Sequence, residues 1–380
     1  MSRTFIPGYH NNHVIRTYDA VVIGAGVFGS WTALQLARGG ARVLIVDQHG
    51  PANSRSSSGG ETRILRMSYG ADEIYTRSAL RSLDLWKRFF DETGENLFHP
   101  CGALFTAPAK DAYLQGTRDT LKRVGWRFDW LDRADLKKHF PQMTFGRAEA
   151  GIYEPGSGIL MARRSVQAVV EAAVRAGARY ETRAWHDLPR RGAGGVFVFA
   201  CGPWLRKLFP DVVGPRIRPT RQEVFFFGTA PGDDRFARIP AWVAFGEGAY
   251  AVPAIDGRGF KIAMDAHGAL FDPETGDRNI TRDGLAFARA VLKKRFPALA
   301  GAPLVESRVC QYENTSNGDF LIDRHPEFPN VWIAGGGSGH GFKHGPFVGE
   351  YVAAQIAGTG AAEPRFSLAS KRTRHRRSVF

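Results

Sequence analysis

The strongest constraint on this chain lies near its start. Ala20-Val21-Val22-Ile23 is a short apolar run of the kind found in strands buried on both faces. Gly24-Ala25-Gly26-Val27-Phe28-Gly29 follows at once, and Val27, Trp31 and Leu34 then recur at helical spacing. Gly39 and Gly40 stop that helix, and Val43 to Val46 form a second strand. In a strand–turn–helix–strand unit the first glycine of G-x-G-x-x-G permits the tight turn, and the second lets backbone amides approach a pyrophosphate. The third lets helix and strand pack closely, while the helix N-terminus stabilises the anion. Asp47 lies eighteen residues after Gly29 at the end of the second strand, placed to accept hydrogen bonds from ribose hydroxyls. The segment reads as a dinucleotide site, and this motif alone does not separate FAD from NAD.

A length of 380 residues suggests two domains or one large α/β unit. No stretch approaches the roughly 18 consecutive apolar residues of a membrane span. Met1 to Thr17 are polar and lack an apolar export segment, and Cys101, Cys201 and Cys310 are too few for a disulfide framework. Both features lead us to expect a reducing, cytoplasmic setting. The formal charge is +14, and Lys371, Arg372, Arg374, Arg376 and Arg377 concentrate part of it near the C-terminus. That cluster lacks interleaved aromatics or a recognisable fold module, which argues against a nucleic-acid arm and for a solvated basic tail over about 366–380. The remaining basic excess would favour anionic ligands.

Further along, a helix is expected around Ile74 to Phe90, with Leu80, Leu83, Trp86 and Phe90 on one face. Another is expected over Ser165 to Ala176 with Val166, Val169, Val170 and Val174 inward and Gly177 as its C-cap. Val224 to Phe227, Trp242 to Phe245, Ala249 to Val252 and Phe260 to Met264 are short strands separated by Gly and Pro, as in an antiparallel sheet. An amphipathic helix follows around Gly284 to Phe296. Val331 to Ala334 is again a buried strand, leading into glycine-rich Gly335 to Gly341 and a helix from Pro346. The chain thus begins and ends in nucleotide-binding character, with a β-rich region between.

Beyond the glycine turn, three segments carry a resemblance. These are Ser57-Ser58-Gly59-Gly60-Glu61-Thr62-Arg63-Ile64-Leu65-Arg66, Val198-Phe199-Ala200-Cys201-Gly202-Pro203-Trp204, and a C-terminal set. The last comprises Arg308-Val309-Cys310-Gln311-Tyr312, Asp319-Phe320-Leu321-Ile322-Asp323 with Pro326, and Gly337-Ser338-Gly339-His340-Gly341-Phe342-Lys343. In order and interval they resemble the monomeric sarcosine oxidase and N-methyltryptophan oxidase family, within the wider D-amino-acid oxidase superfamily. The resemblance implies an α/β fold: a Rossmann-type FAD-binding domain, glutathione-reductase-like, with an inserted β-rich substrate domain of mostly antiparallel sheet plus helices. Residues 1–95, 146–215 and 310–380 would form the former, and 96–145 and 216–309 the latter. FAD would be contacted by Gly24, Gly26, Val27, Phe28, Gly29, Asp47, Gln48, Ser58, Thr62, Arg63, Ile64, Cys201, Gly202, Trp204, Cys310, Gly337, Ser338, Gly339, Gly341, Phe342 and Lys343. No metal enters this reading.

The same resemblance implies roles. In that family the cysteine matching Cys310 is bonded through sulfur to the flavin, chemistry that suits a thiolate meeting an electron-poor ring methyl. Cys101 and Cys201 lack that context and read as structural thiols. Arg66 and Lys343 match the positions that hold the substrate carboxylate, Arg with two parallel hydrogen bonds and Lys as a point charge. Tyr250 matches an active-site tyrosine, with core packing as its alternative. Lys261 matches the lysine that promotes reaction with oxygen, where a cation stabilises developing negative charge. Otherwise a strand lysine is usually an exposed edge residue.

Three departures from the family stand out. Ser58 and Gly59 replace its paired histidines, Asp265 stands where sarcosine oxidases carry a histidine, and Glu313 replaces a threonine. The two carboxylates point to a larger or more basic substrate. The stretch between Trp185 and Val196 is also short for the family's β-meander. The activity implied is oxidation of the C–N bond of an amino acid or N-alkyl amino acid to an imine by a monomer, with O2 giving H2O2. Alternatives are a flavin dehydrogenase passing electrons to a carrier, or a non-catalytic flavin-binding protein. A nicotinamide dehydrogenase would need a second nucleotide site, which the sequence does not offer.

Overall fold

The computed structural model describes residues 17–185, 187–190 and 194–372. The chain divides into two compact units. The described parts of the first are 17–59, 163–218 and 313–372, and the second holds 60–162 and 219–312.

The first unit is built on a six-stranded sheet in the order Leu321–Arg324, Val331–Gly335, Val196–Phe199, Ala20–Ile23, Val43–Asp47, Arg179–Thr182. Its strands pair in parallel except at the first edge, where Leu321–Arg324 runs antiparallel. Val22, Leu44, Ile45 and Val46 are fully buried, which is why these strands are continuous apolar runs rather than alternating ones. The helix Val27–Arg38 follows the first strand directly, and Gly39 caps it.

The helix Ala162–Arg175 corrects one expectation. Val166, Val169 and Val170 are buried, but Val174 is 43% exposed and Ala173 takes the inward position. Seven residues from Val166 bring position 173 back to the same face, and position 174 lies a further 100° round. The C-terminal expectation is corrected as well. The basic tail does not begin at 366: short turns cover Pro364–Phe366 and Ala369–Arg372, with Phe366 and Lys371 buried. The Lys371 ammonium donates to Arg365 O, and Phe366 packs against Phe320 and Tyr351. Arg374, Arg376 and Arg377 lie outside the described residues.

The second unit carries an eight-stranded sheet in the order Leu304–Thr315, Ile217–Phe227, Phe260–Met264, Ala249–Val252, Ala241–Ala244, Ala103–Pro108, Glu149–Glu154, Asp129–Leu131. The pairing of Ala103–Pro108 with Ala241–Ala244 is parallel, and the pairings on either side of it are antiparallel. The strand expected over Trp242 to Phe245 ends at Ala244, because Phe245 opens a tight 3-10 turn that Gly248 closes. Phe225, Phe227, Trp242, Phe260 and Ile262 form the core with Val291, Leu292 and Phe296 from the region of the helix Arg282–Arg295. Arg295, on that helix, is buried but paired with Glu149 at 2.8 Å and with Glu247.

Thr62–Leu65 pairs antiparallel with Gly158–Met161, which also pairs with Phe98–His99. This small sheet explains why the unit boundary falls at Gly59 rather than near the expected 95. It ties residues 62–65 to 158–161, and the 21-residue helix Glu73–Thr93 follows in the same unit. Among the described residues, no helix is long and apolar enough to cross a membrane.

Candidate active site

In the first unit the glycine turn has the geometry its chemistry requires. Gly24 sits at φ +104°, and a Cβ there would lie 2.4 Å from Ala200 O. A Cβ on Gly29 would lie 1.9 Å from Gly24 O, so only glycine lets the helix start this close to the strand. No acidic side chain occupies the first helical turn, which leaves its positive end suited to an anion. Val27 N–H donates to Ser58 Oγ at 3.1 Å, giving Ser58 a place at this helix start. Asp47 accepts from Ala25 N–H and His49 N–H, both at 2.8 Å, so its carboxylate is fixed beside the turn. Gln48 next to it is partly buried.

The neighbouring strand ends belong to the same unit. Val196–Phe199 leads through Cys201 into the short turn Gly202–Trp204. The Cys201 thiol donates to Ile23 O at 3.3 Å, and burial raises its pKa well above the ordinary thiol value. Val331–Gly335 leads into Gly337, Ser338, Gly339 and Gly341, where Ser338 holds φ +45°. Thr315 N–H donates to Ser338 Oγ, which itself donates to Gly336 O. Phe342 and Lys343 are buried, and the Lys343 ammonium donates to His340 O at 2.9 Å. Phe28 packs edge-on against Phe320 at 5.4 Å. Glu313 is buried as well; one carboxylate oxygen accepts from Gly337 N–H at 3.1 Å and the other has no hydrogen-bond partner. A glycine turn with no room for a side chain, a helix start without acid, an anchored Asp47 and a buried orphan acceptor fit a dinucleotide rich in hydroxyls.

In the second unit the residues of the expected redox site form a compact group. Lys261 lies on Phe260–Met264, whose neighbours are Ile217–Phe227 and Ala249–Val252, so it stands inside the sheet and not at an edge. It is 3% exposed, and its ammonium approaches Thr62 O at 3.3 Å and Thr62 Oγ1 at 3.4 Å. The Tyr250 ring centre is 5.4 Å from Nζ. Burial, reinforced by the Arg63 charge, pushes the Lys261 pKa down to about 7. Cys310 is buried, and an Arg63 guanidinium nitrogen stands 3.9 Å from its sulfur. Burial raises the Cys101 thiol to about 11. Ile64 lies partly buried on the same strand as Thr62 and Arg63.

Tyr312 is a site residue that the sequence reading quoted but did not select. Its hydroxyl donates to Asp265 Oδ1 at 3.2 Å. Burial raises the pKa of the Tyr250 and Tyr312 phenols. Strand periodicity held the signal, because side chains two apart share a face and Tyr312 is two residues from Cys310. The same alternation turns Glu313 to the opposite face.

Arg66 is 5% exposed, and its guanidinium carbon lies 4.4 Å from the Tyr69 ring centre, 5.2 Å from Phe105 and 5.4 Å from Phe245. One nitrogen donates to Ser68 O, and no described carboxylate forms an ion pair with it. The segment after Arg66 is fixed by Glu154, which sequence alone did not mark. Its carboxylate accepts from Met67 N–H, Ser68 N–H, Ser68 Oγ, Ser157 Oγ and Trp126 Nε1. The expected residues therefore fall into two groups. The glycine turns, Asp47, Ser58, Cys201, Gly202, Trp204, Glu313 and Lys343 belong to the first unit. Thr62, Arg63, Ile64, Arg66, Tyr250, Lys261, Asp265 and Cys310 belong to the second.

A parallel sheet whose strand ends carry a glycine turn and an anchored acid defines a dinucleotide-dependent enzyme, and comparison with known proteins narrows the class. The family described as FAD dependent oxidoreductase matches residues 19–355, and the chain belongs to it. It is 32% identical to the monomeric sarcosine oxidase of Bacillus sp. (strain B-0618), over 93% of this chain and 95% of that one. It is 28% identical to the N-methyl-L-tryptophan oxidase of Salmonella arizonae, over 88% and 94%. Among solved structures, the L-proline dehydrogenase from P. horikoshii aligns with a TM-score of 0.82 at 23% identity, covering 94% of this chain and 99% of that one. The glycine oxidase from Geobacillus kaustophilus gives 0.78 at 22%, with the same coverage. At those identities the structural likeness concerns the fold, and it agrees with the α/β, Rossmann-type architecture.

Proposed function

We propose that this FAD-dependent oxidoreductase is an oxidase of an amino acid or N-alkyl amino acid, converting its C–N bond to an imine with O2 as acceptor and H2O2 as product. The activities named for its sarcosine and N-methyl-L-tryptophan oxidase relatives support the substrate class. Bound FAD supplies the two-electron acceptor for the α-C–H bond and, once reduced, the donor for oxygen. Arg66 binds the substrate carboxylate; a buried guanidinium among three aromatic rings, without an ion-pair partner, is prepared for an anion. Lys261, when protonated, stabilises the negative charge that oxygen acquires. Tyr250, together with the hydrogen-bonded pair Tyr312 and Asp265, orients the substrate amine. Cys310, whose sulfur stands 3.9 Å from an Arg63 guanidinium nitrogen, would hold the flavin through a thioether.

The observation that carries the oxidase reading is Lys261: a fully buried lysine on a central strand is held only where its charge has work to do. The proposal also makes the first unit the FAD-binding domain and the second unit the substrate domain of a cytoplasmic monomer. Purified protein is offered N-methyl amino acids, cyclic imino acids and primary amino acids while oxygen uptake and peroxide are recorded. Stoichiometric peroxide with one of these classes is expected. Turnover only with an added electron carrier would replace the oxidase with a dehydrogenase.

A further inference from the structure

We propose that Glu313 binds the ribityl chain of FAD, its unpaired carboxylate oxygen accepting a hydrogen bond from a ribityl hydroxyl. The inference rests on FAD being the cofactor and adds a residue that no glycine motif announces.

Glu313 lies near the end of Leu304–Thr315 and is 8% exposed. Its position is held from two sides: Oε1 accepts from Gly337 N–H at 3.1 Å, and its backbone carbonyl accepts from Ser338 N–H at 3.1 Å. Oε2 is buried with no partner. A Cβ on Gly335 would be 3.3 Å from Oε2, and one on Gly202 would be 3.6 Å from it. Oε2 thus sits where Val331–Gly335 ends and where the chain leaves Val196–Phe199. A buried carboxylate with one oxygen outside hydrogen-bond geometry is unfavourable by the desolvation of that atom, and burial, opposed by the Gly337 and Gly336 amides, raises the Glu313 carboxyl to about 7. Such a group persists where a ligand completes it.

The order of the strands says which part of FAD meets this oxygen. Across the sheet the sequence is Val331–Gly335, Val196–Phe199, Ala20–Ile23, Val43–Asp47. Asp47, at the end of the last of these, marks the adenosine ribose, and the glycine turn after Ala20–Ile23 marks the pyrophosphate. A linear dinucleotide laid along the strand ends reaches the next two strands with whatever follows the pyrophosphate. In FAD that is the ribityl chain, whose hydroxyls are donors. A carboxylate would repel the phosphates. Of the donors beyond them, the ribityl hydroxyls and the ring N3–H, the hydroxyls follow directly on the pyrophosphate and are the part that reaches these strand ends first.

The test measures cofactor choice rather than turnover. Cys310→Ala protein, in which no thioether can trap the flavin, is refolded with equal FAD and each deoxyribityl FAD analogue, and the captured flavins are quantified. Preference for FAD over one deoxyribityl analogue of about ten- to a hundredfold is expected, the range for one hydrogen bond to a charged group. Adding Glu313→Gln retains an oxygen for Gly337 and removes the charged acceptor, and the preference should fall by at least about fivefold. An unchanged preference in the double variant, or none for any hydroxyl in its parent, overturns the proposal. Should the double variant not fold, a crystal structure of the wild-type holoenzyme decides. A ribityl oxygen in hydrogen-bond contact with Oε2 upholds it, and none within about 3.5 Å refutes it. Wild-type protein that takes up no flavin at all would instead defeat the FAD assignment.

Discussion

Replacing Lys261 with methionine should stabilise the protein and cripple its reaction with oxygen. The side chain is 3% exposed, and its pKa falls from 10.5 to about 7, chiefly through burial. At 1.36 kcal/mol per pH unit that gap corresponds to an upper bound of about 5 kcal/mol. The sign follows from proton counting. Below about pH 7 folded and unfolded chains both hold the proton, and the full penalty for the buried charge is present. Between about 7 and 10.5 the unfolded chain holds a proton that the folded protein has shed, so stability rises with pH. Lys261→Met removes the charge at similar length, so a gain of about 2–4 kcal/mol is expected near pH 7, shrinking towards pH 10. Urea unfolding of both proteins across that range measures it. In stopped-flow experiments flavin reoxidation by O2 should slow about 10²–10³-fold, the usual effect of losing one preorganised charge, with flavin reduction changed far less. In the wild type the reoxidation rate should decline as pH rises through the Lys261 pKa. A stability difference that is flat from pH 7 to 10 would refute the buried-charge argument. Unchanged reoxidation would refute the role in oxygen activation.

Three further outcomes are expected. Acid-denatured wild-type protein should keep its yellow colour, and Cys310→Ala should release its flavin into the supernatant; complete release from the wild type would exclude the thioether. Arg66→Ala should weaken the amino-acid substrate about 30- to 4000-fold, equivalent to about 2–5 kcal/mol, and its decarboxylated analogue little. Arg66→Lys should restore only part of that, since an ammonium lacks the two-pronged contact; steady-state kinetics with both substrates read the difference. Glu154→Gln turns an amide N–H₂ towards donors that now meet a carboxylate, and thermal unfolding should show a loss of about 2–3 kcal/mol. Its KM should rise more than its kcat falls, because the loop that follows Arg66 loosens.

The nucleotide-binding half was legible because its constraints are local. Gly24 and Gly29 are required by contacts within a few residues or with the adjacent strand, and buried parallel strands announce themselves as apolar runs. Non-local pairing was not legible. Nothing in Thr62–Leu65 indicates that it joins Gly158–Met161, and so the boundary at Gly59 could not be placed from composition. Val174 was misassigned for a geometric reason: four valines look alike in sequence, but small Ala173 is the residue that returns to the buried face after seven positions. Lys371 likewise reads as one of a cationic run, while its stem is buried and its ammonium is satisfied by Arg365 O.

What the sequence did not disclose is which side of a buried strand each site residue faces. Cys310, Tyr312 and Glu313 are nearly adjacent in sequence, but alternation along the strand sends the sulfur and phenol one way and the carboxylate the other. Tyr312 thereby donates to Asp265, whereas Glu313 accepts from Gly337 N–H within the first unit. A histidine-to-aspartate and a threonine-to-glutamate difference from the sarcosine oxidase pattern, which look in sequence like two acids added to one substrate site, are therefore two separate changes. Asp265 bears on the phenols beside the proposed amine site. On the inference proposed above, Glu313 bears on the dinucleotide strand ends, its carboxylate accepting from a hydroxyl. The basic-substrate argument then rests on Asp265 alone. A single-site change tests it: Asp265→Asn should alter the preference between neutral and cationic side chains in the substrate, and Glu313→Gln should leave that preference where it was.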